Sequence, residues 1–126
     1  MPQLPKKNSR PSTLPSIPYR HIREAVLGRS YELSVVSVSP AEALALNKKY
    51  RKKSYIPDAL AFPLSKNEGE IVLNIEAIAR EAKKHDVSRR EFATRLFVHA
   101  CLHLKGFTHG PRMEKEELRF LKKLDV

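Results

Sequence analysis

The segment from Ser88 to His109, S-R-R-E-F-A-T-R-L-F-V-H-A-C-L-H-L-K-G-F-T-H, constrains this chain more than any other. It opens as a capping box, with a serine whose hydroxyl can accept from an amide three residues on and a glutamate, Glu91, placed to reach back. Phe92, Leu96, Phe97, Ala100 and Leu104 then recur at helical spacing, and Gly106 stands where a left-handed residue ends a helix. The spacing predicts the most apolar helix of the chain over residues 88–105, and so a central one. On that helix His99 and His103 are four residues apart, about 40° around the axis, so both imidazoles share a face. Gly106 lets the chain reverse, and His109 can return toward the pair.

Three neutral imidazoles can hold a first-row metal and leave a coordination position open. A single Zn²⁺ suits such an all-nitrogen set best, with Ni²⁺, Co²⁺ and Mn²⁺ as alternatives. Position 100 is alanine, so the glutamate that an H-E-x-x-H peptidase uses as general base is missing and proteolysis of that kind is disfavoured. Cys101 falls on the opposite face of the helix and reads as core. His21 and His85 lie outside the pattern and are assigned to the surface.

The remainder of the chain reads as a small α+β domain. Residues 1–18, with five prolines and several Lys and Arg, read as a flexible basic arm, and residues 19–126 as one domain. Helices are expected over residues 19–27, from Pro40 to about Tyr50, from Ile75 to about Lys84, and after Pro111. The last is amphipathic through Met113, Leu118, Leu121 and Leu124, and Glu114 and Glu117 on it read as exposed helix charge. Strands are expected at 31–38, 58–62 and 70–74, the latter two forming a hairpin across a polar turn at 65–69. No apolar run is long enough to span a bilayer, no secretory leader is legible at the N-terminus, and a lone cysteine agrees with a reducing, cytoplasmic setting.

Charge narrows the partner. Lys and Arg outnumber Asp and Glu by 24 to 14, a formal net charge of +10, which points to a polyanion and most often to nucleic acid. The excess is densest at Lys48-Lys49-Tyr50-Arg51-Lys52-Lys53, five cations around one aromatic ring. Such a run suits phosphates and unpaired bases, so these six residues are the candidate RNA-binding surface.

These motifs together resemble the YbeY family of endoribonucleases, the rRNA maturation factors. His99 to His109 resembles the family's H-G-x-L-H-L-x-G-Y-D-H. Asn47 to Arg51 resembles N-x-x-Y-R, Asp58 to Pro63 resembles D-V-L-S-F-P, and Gly69-Glu70-Ile71 resembles G-D-I. Met113-Glu114 also fits, and the likeness covers about residues 31–126. It implies a mixed, mostly parallel sheet of about four strands packed with helices, or three, since residues 1–18 do not read as the family's first strand. It implies His99, His103 and His109 as zinc ligands, with His99 and Arg51 acting in catalysis. It also implies metal-dependent cleavage of single-stranded RNA in small-subunit rRNA maturation and ribosome quality control. The chain departs from the pattern at Ala100, Phe107-Thr108, Pro57 and Ala61; Thr108 replaces an aspartate beside the third histidine. That loss supports an alternative, a non-catalytic ribosome-associated RNA-binding factor whose zinc is structural or vestigial.

Overall fold

The computed structural model describes residues 14–125. Helix α1 spans Tyr19–Leu27, β1 Glu32–Val38, α2 Pro40–Arg51, β2 Ala59–Ser65 and β3 Glu68–Asn74. Helices α3 (Ile75–Lys84), α4 (Arg89–Lys105) and α5 (Pro111–Leu124) complete the chain. The basic arm falls mostly outside the described residues. Its last part, 14–18, lies against the domain: Ile17 is buried, Tyr19 Oη donates to the Pro15 carbonyl at 2.6 Å, and the Arg90 guanidinium donates to the Ser16 carbonyl.

The sheet is mixed and, among the described residues, has three strands in the order β1-β3-β2. One pairing is parallel, β1 on β3 from Glu32↔Glu68 to Val38↔Asn74. The other is the antiparallel hairpin of β2 and β3. The central strand is covered on both faces, which is why Ile71, Val72 and Leu73 form an unbroken buried run rather than an alternating one. Helix α2 covers one face, over a cluster of Val38, Ala43, Leu46, Leu60, Phe62 and Val72. On the other face α1, α3, α4 and α5 enclose the larger core around Phe97.

The hairpin is longer than the sequence suggested. Strand β2 continues through Pro63 to Ser65, β3 begins at Glu68, and the turn shrinks to Lys66-Asn67. Proline is tolerated because β2 is an edge strand, where a missing N–H breaks no second ladder; the register is irregular between Pro63 and Ser65. Asn74, the last residue of β3, caps α3 by accepting from the Ala77 amide at 3.2 Å.

Helix α4 starts as its sequence dictates, with Ser88 Oγ accepting from the Glu91 amide at 2.9 Å. The return half of the box is replaced by an ion pair between Glu91 and Arg95 one turn on. Phe97 is fully buried and meets Tyr19 edge-to-face at 5.0 Å. Cys101 is fully buried, as its place on the helix implied. On α5 the buried stripe is Met113, Phe120 and Leu124, while Leu118, expected on the apolar face, is 69% exposed. Among the described residues no helix is long and apolar enough to cross a membrane.

Candidate metal centre

The three histidines converge. His99 and His103 stand one turn apart near the end of α4, and His109 returns from the loop beyond it. The candidate ligand atoms of all three lie within 4.8 Å of one another. The reversal is built by Gly106, at φ 115°, a conformation that costs an L side chain roughly 1–2 kcal/mol. Its amide reaches the His103 carbonyl and the Phe107 amide reaches the Leu102 carbonyl, both at 3.0 Å, a Schellman closure that satisfies the last carbonyls of α4. Gly110, also at positive φ, and Pro111 at the first helical position then start α5.

Each ring of the helical pair has an acceptor behind it. His103 Nδ1 lies 3.0 Å from the Phe107 carbonyl oxygen, and His99 Nδ1 lies 2.5 Å from Glu117 Oε2. Both acceptors call for a proton on Nδ1, which leaves the two Nε2 lone pairs facing inward. Those Nε2 atoms are 3.2 Å apart. Two nitrogens bound to one ion at ~2.0–2.1 Å in tetrahedral geometry stand roughly 3.3–3.4 Å apart, so the pair fits a shared cation. A second proton on His103 is the competing way to relieve the lone-pair repulsion, and the surroundings resist it. Burial, with His99, His109 and Arg51, holds the His103 ring below the ordinary histidine range against the lift from the Phe107 carbonyl.

Glu117 is the residue that sequence reasoning misread. Only 21% of its side chain is exposed, and it meets His99 from α5; Glu114, by contrast, is exposed as expected. A signal was present: Met113, Glu117, Phe120 and Leu124 follow spacings of four, three and four. The carboxylate therefore sits within the stripe that α5 turns toward α4.

The centre opens into a cleft of about 470 Å³ lined by Arg51, Tyr55, Asp58, Arg80 and Glu81 among others. Of the six residues in the basic run, Arg51 alone contributes to its lining. Lys48, Lys49, Lys52 and Lys53 are exposed around the end of α2. Tyr50 is half-buried, its ring packed on Phe62 at 5.9 Å with the Lys49 ammonium 5.3 Å from its centre. Burial, reinforced by Glu81, raises the Asp58 carboxyl above the usual carboxylate range, against the backbone amides at 58 and 59 and the pull of His99. His21 and His85 are exposed and lie outside the cluster; His85 stacks on Phe92 and its Nε2 is 3.5 Å from Glu81 Oε1.

The fold has known counterparts. The family model described as "Endoribonuclease YbeY" matches residues 16–124. The endoribonuclease YbeY of Aromatoleum aromaticum is 36% identical over 100 residues, which cover 77% of this chain and 65% of that protein. That of Alkaliphilus metalliredigens is 34% identical over 100 residues, covering 71% and 64%. The chain thus spans just under two thirds of the length of these relatives. Among solved structures, the solution structure of TM1509 from Thermotoga maritima aligns with a TM-score of 0.58 at 22% identity, over 82% of this chain and 73% of that one. That likeness is one of fold.

Proposed function

The chain belongs to the YbeY family, and on that premise we propose that it is a zinc-dependent endoribonuclease, one that cuts single-stranded RNA in the cytoplasm during small-subunit rRNA maturation and ribosome quality control. The observation that carries the reading is the pair of inward Nε2 atoms 3.2 Å apart, each with its Nδ1 already committed to an acceptor. A divalent ion held by His99, His103 and His109 supplies Lewis acidity toward a phosphoryl oxygen and toward water.

The chain's own residues do the positioning. Glu117 and the Phe107 carbonyl hold the two Nδ1 protons, which fixes tautomer and ring direction. Arg51 places a guanidinium in the same cleft, where it offsets charge gathering on the phosphoryl oxygens. Scission forms one bond to phosphorus, from water or the adjacent 2′-hydroxyl. It breaks the bond to the leaving ribose oxygen, which takes up a proton.

The second reading is an RNA-binding factor with structural zinc. It is favoured by Thr108, which is exposed beside His109 and brings no carboxylate. Elemental analysis, an RNA-binding titration and a cleavage assay on single-stranded RNA separate the two. The enzyme reading expects near-stoichiometric zinc and cleavage, with His103→Ala abolishing both. Cleavage by metal-free His103→Ala protein refutes the metal-dependent reading; zinc and RNA binding without cleavage selects the second.

A further inference from the structure

Between α2 and β2 the chain lines the cleft as an irregular loop whose backbone is held from inside the protein. Asn47 is fully buried; its Nδ2 donates to the Tyr55 carbonyl at 3.0 Å, and its own carbonyl accepts from the Lys53 amide at 3.2 Å. Asn74 is 1% exposed; its Nδ2 donates to the Pro57 carbonyl at 3.1 Å, and its amide donates to the Asp58 carbonyl at 2.9 Å. Two buried amide side chains are a costly way to fix a loop, the more so because Asn47 Oδ1 is buried without a hydrogen-bond partner.

Between these anchors the side chains turn outward. Tyr55 is 54% exposed and Ile56 49% exposed. Among the described residues only four large apolar side chains are exposed, and these two are adjacent and both line the cleft of the three histidines. The charges around them are mostly positive: Arg51 and Arg80 in the cleft, Lys52 and Lys53 at the loop's start. The cleft's acids are Asp58 and Glu81, and Glu81 has Arg80 at 3.7 Å. An exposed aromatic ring in the same cleft as two guanidinium groups matches a nucleotide, with an apolar face and an anionic backbone, better than it matches an apolar protein surface.

We propose that Tyr55, supported by Ile56, is a stacking platform for one unpaired nucleobase of a single-stranded RNA, and that this platform sets the strand's register against the histidine centre. The proposal rests on the RNA reading above and replaces Tyr50, whose ring is engaged with Phe62, by Tyr55 as the aromatic of the RNA surface. Stacking needs a π-face and no hydroxyl, so the platform is tolerant of base identity and blind to paired bases.

The test is a fluorescence-anisotropy titration of a labelled mixed-sequence 12-nucleotide single-stranded RNA, with its duplex as control, on the full chain loaded with zinc. Tyr55→Ala is expected to weaken single-strand binding roughly 5- to 150-fold. Tyr55→Phe keeps the wild-type affinity, and neither variant alters duplex binding. The salt dependence separates stacking from charge. Tyr55→Ala leaves the slope of log K against log salt unchanged, whereas Arg51→Ala makes it shallower by about 0.7. Zinc affinity equal to wild type in Tyr55→Ala shows that the centre has kept its geometry. Wild-type single-strand affinity in Tyr55→Ala overturns the platform and leaves the RNA reading standing. Failure of the wild-type protein to bind single-stranded RNA overturns both.

Discussion

Glu117 gives the sharpest test of how the centre is held together. Its carboxylate contacts His99 Nδ1 across the α4–α5 interface, and the two side chains are 21% and 27% exposed. Solvent therefore competes only in part. A hydrogen bond to a charged group contributes about 1.5–3 kcal/mol in such a setting, and loss of a comparable partner behind a ligating histidine lowers metal affinity about 10- to 100-fold. The two figures agree, because each tenfold corresponds to about 1.4 kcal/mol. Glu117→Ala frees the His99 ring to rotate and to place its proton on Nε2, the nitrogen the ion needs. Zinc affinity, read by competition with a chromophoric chelator, is expected to fall about 10- to 100-fold. Glu117→Gln falls less, since the amide oxygen still accepts from Nδ1. Alanine is a good helix former on α5, so the metal-free Glu117→Ala protein should lose no more stability than the ~1.5–3 kcal/mol of that hydrogen bond. Zinc binding by Glu117→Ala at wild-type strength would refute the orienting role.

The loop and the core yield further expectations. Gly106→Ala meets no steric neighbour but must hold φ near 115°; a loss of roughly 1–2 kcal/mol by urea unfolding and weaker zinc binding are expected together, and an unchanged midpoint contradicts the argument. The Cys101 thiol is fully buried and burial drives its pKa well up. A thiol reagent should therefore label the native protein only as fast as it opens; rapid labelling under native conditions would show the core wrongly packed. Asp58 has its carboxyl pKa raised chiefly by burial, so the folded state takes up the proton first. Its contribution to stability is then most favourable below the unfolded value of about 3.9 and is lost as pH rises through the folded pKa. Asp58→Asn should accordingly match or exceed wild-type stability at pH 7, with the difference closing as pH falls toward 4; a variant less stable at pH 7 contradicts this.

Local chemistry made most of the fold legible. The serine caps, Pro40 and Gly106 act within a few residues of themselves, and the helices they bound fall where the spacing put them. Strand ends were less legible, because whether Pro63 stops a strand depends on whether its outer side has a neighbour, a fact of sheet order rather than of sequence. The same holds for the centre. Two of the three histidines lie on one helix and the third follows a glycine, so the cluster was readable from spacing alone. Glu117 joins it only through the packing of α5 on α4, 18 residues away, and a glutamate on an amphipathic helix ordinarily faces water. Tyr50 lies in the basic run and Tyr55 just beyond it; packing on the hairpin residue Phe62 covers the ring of Tyr50, while Tyr55 is 54% exposed.

The asparagine anchors also bear on how such a protein can change. Asn47 and Asn74 grip the carbonyls of Tyr55 and Pro57, atoms that every residue type possesses. The path of the loop is thus encoded in the core, while the side chains of Tyr55 and Ile56 are left exposed. On the platform proposed above, substitutions at 55 and 56 alter what the cleft favours while the loop's backbone keeps its anchors.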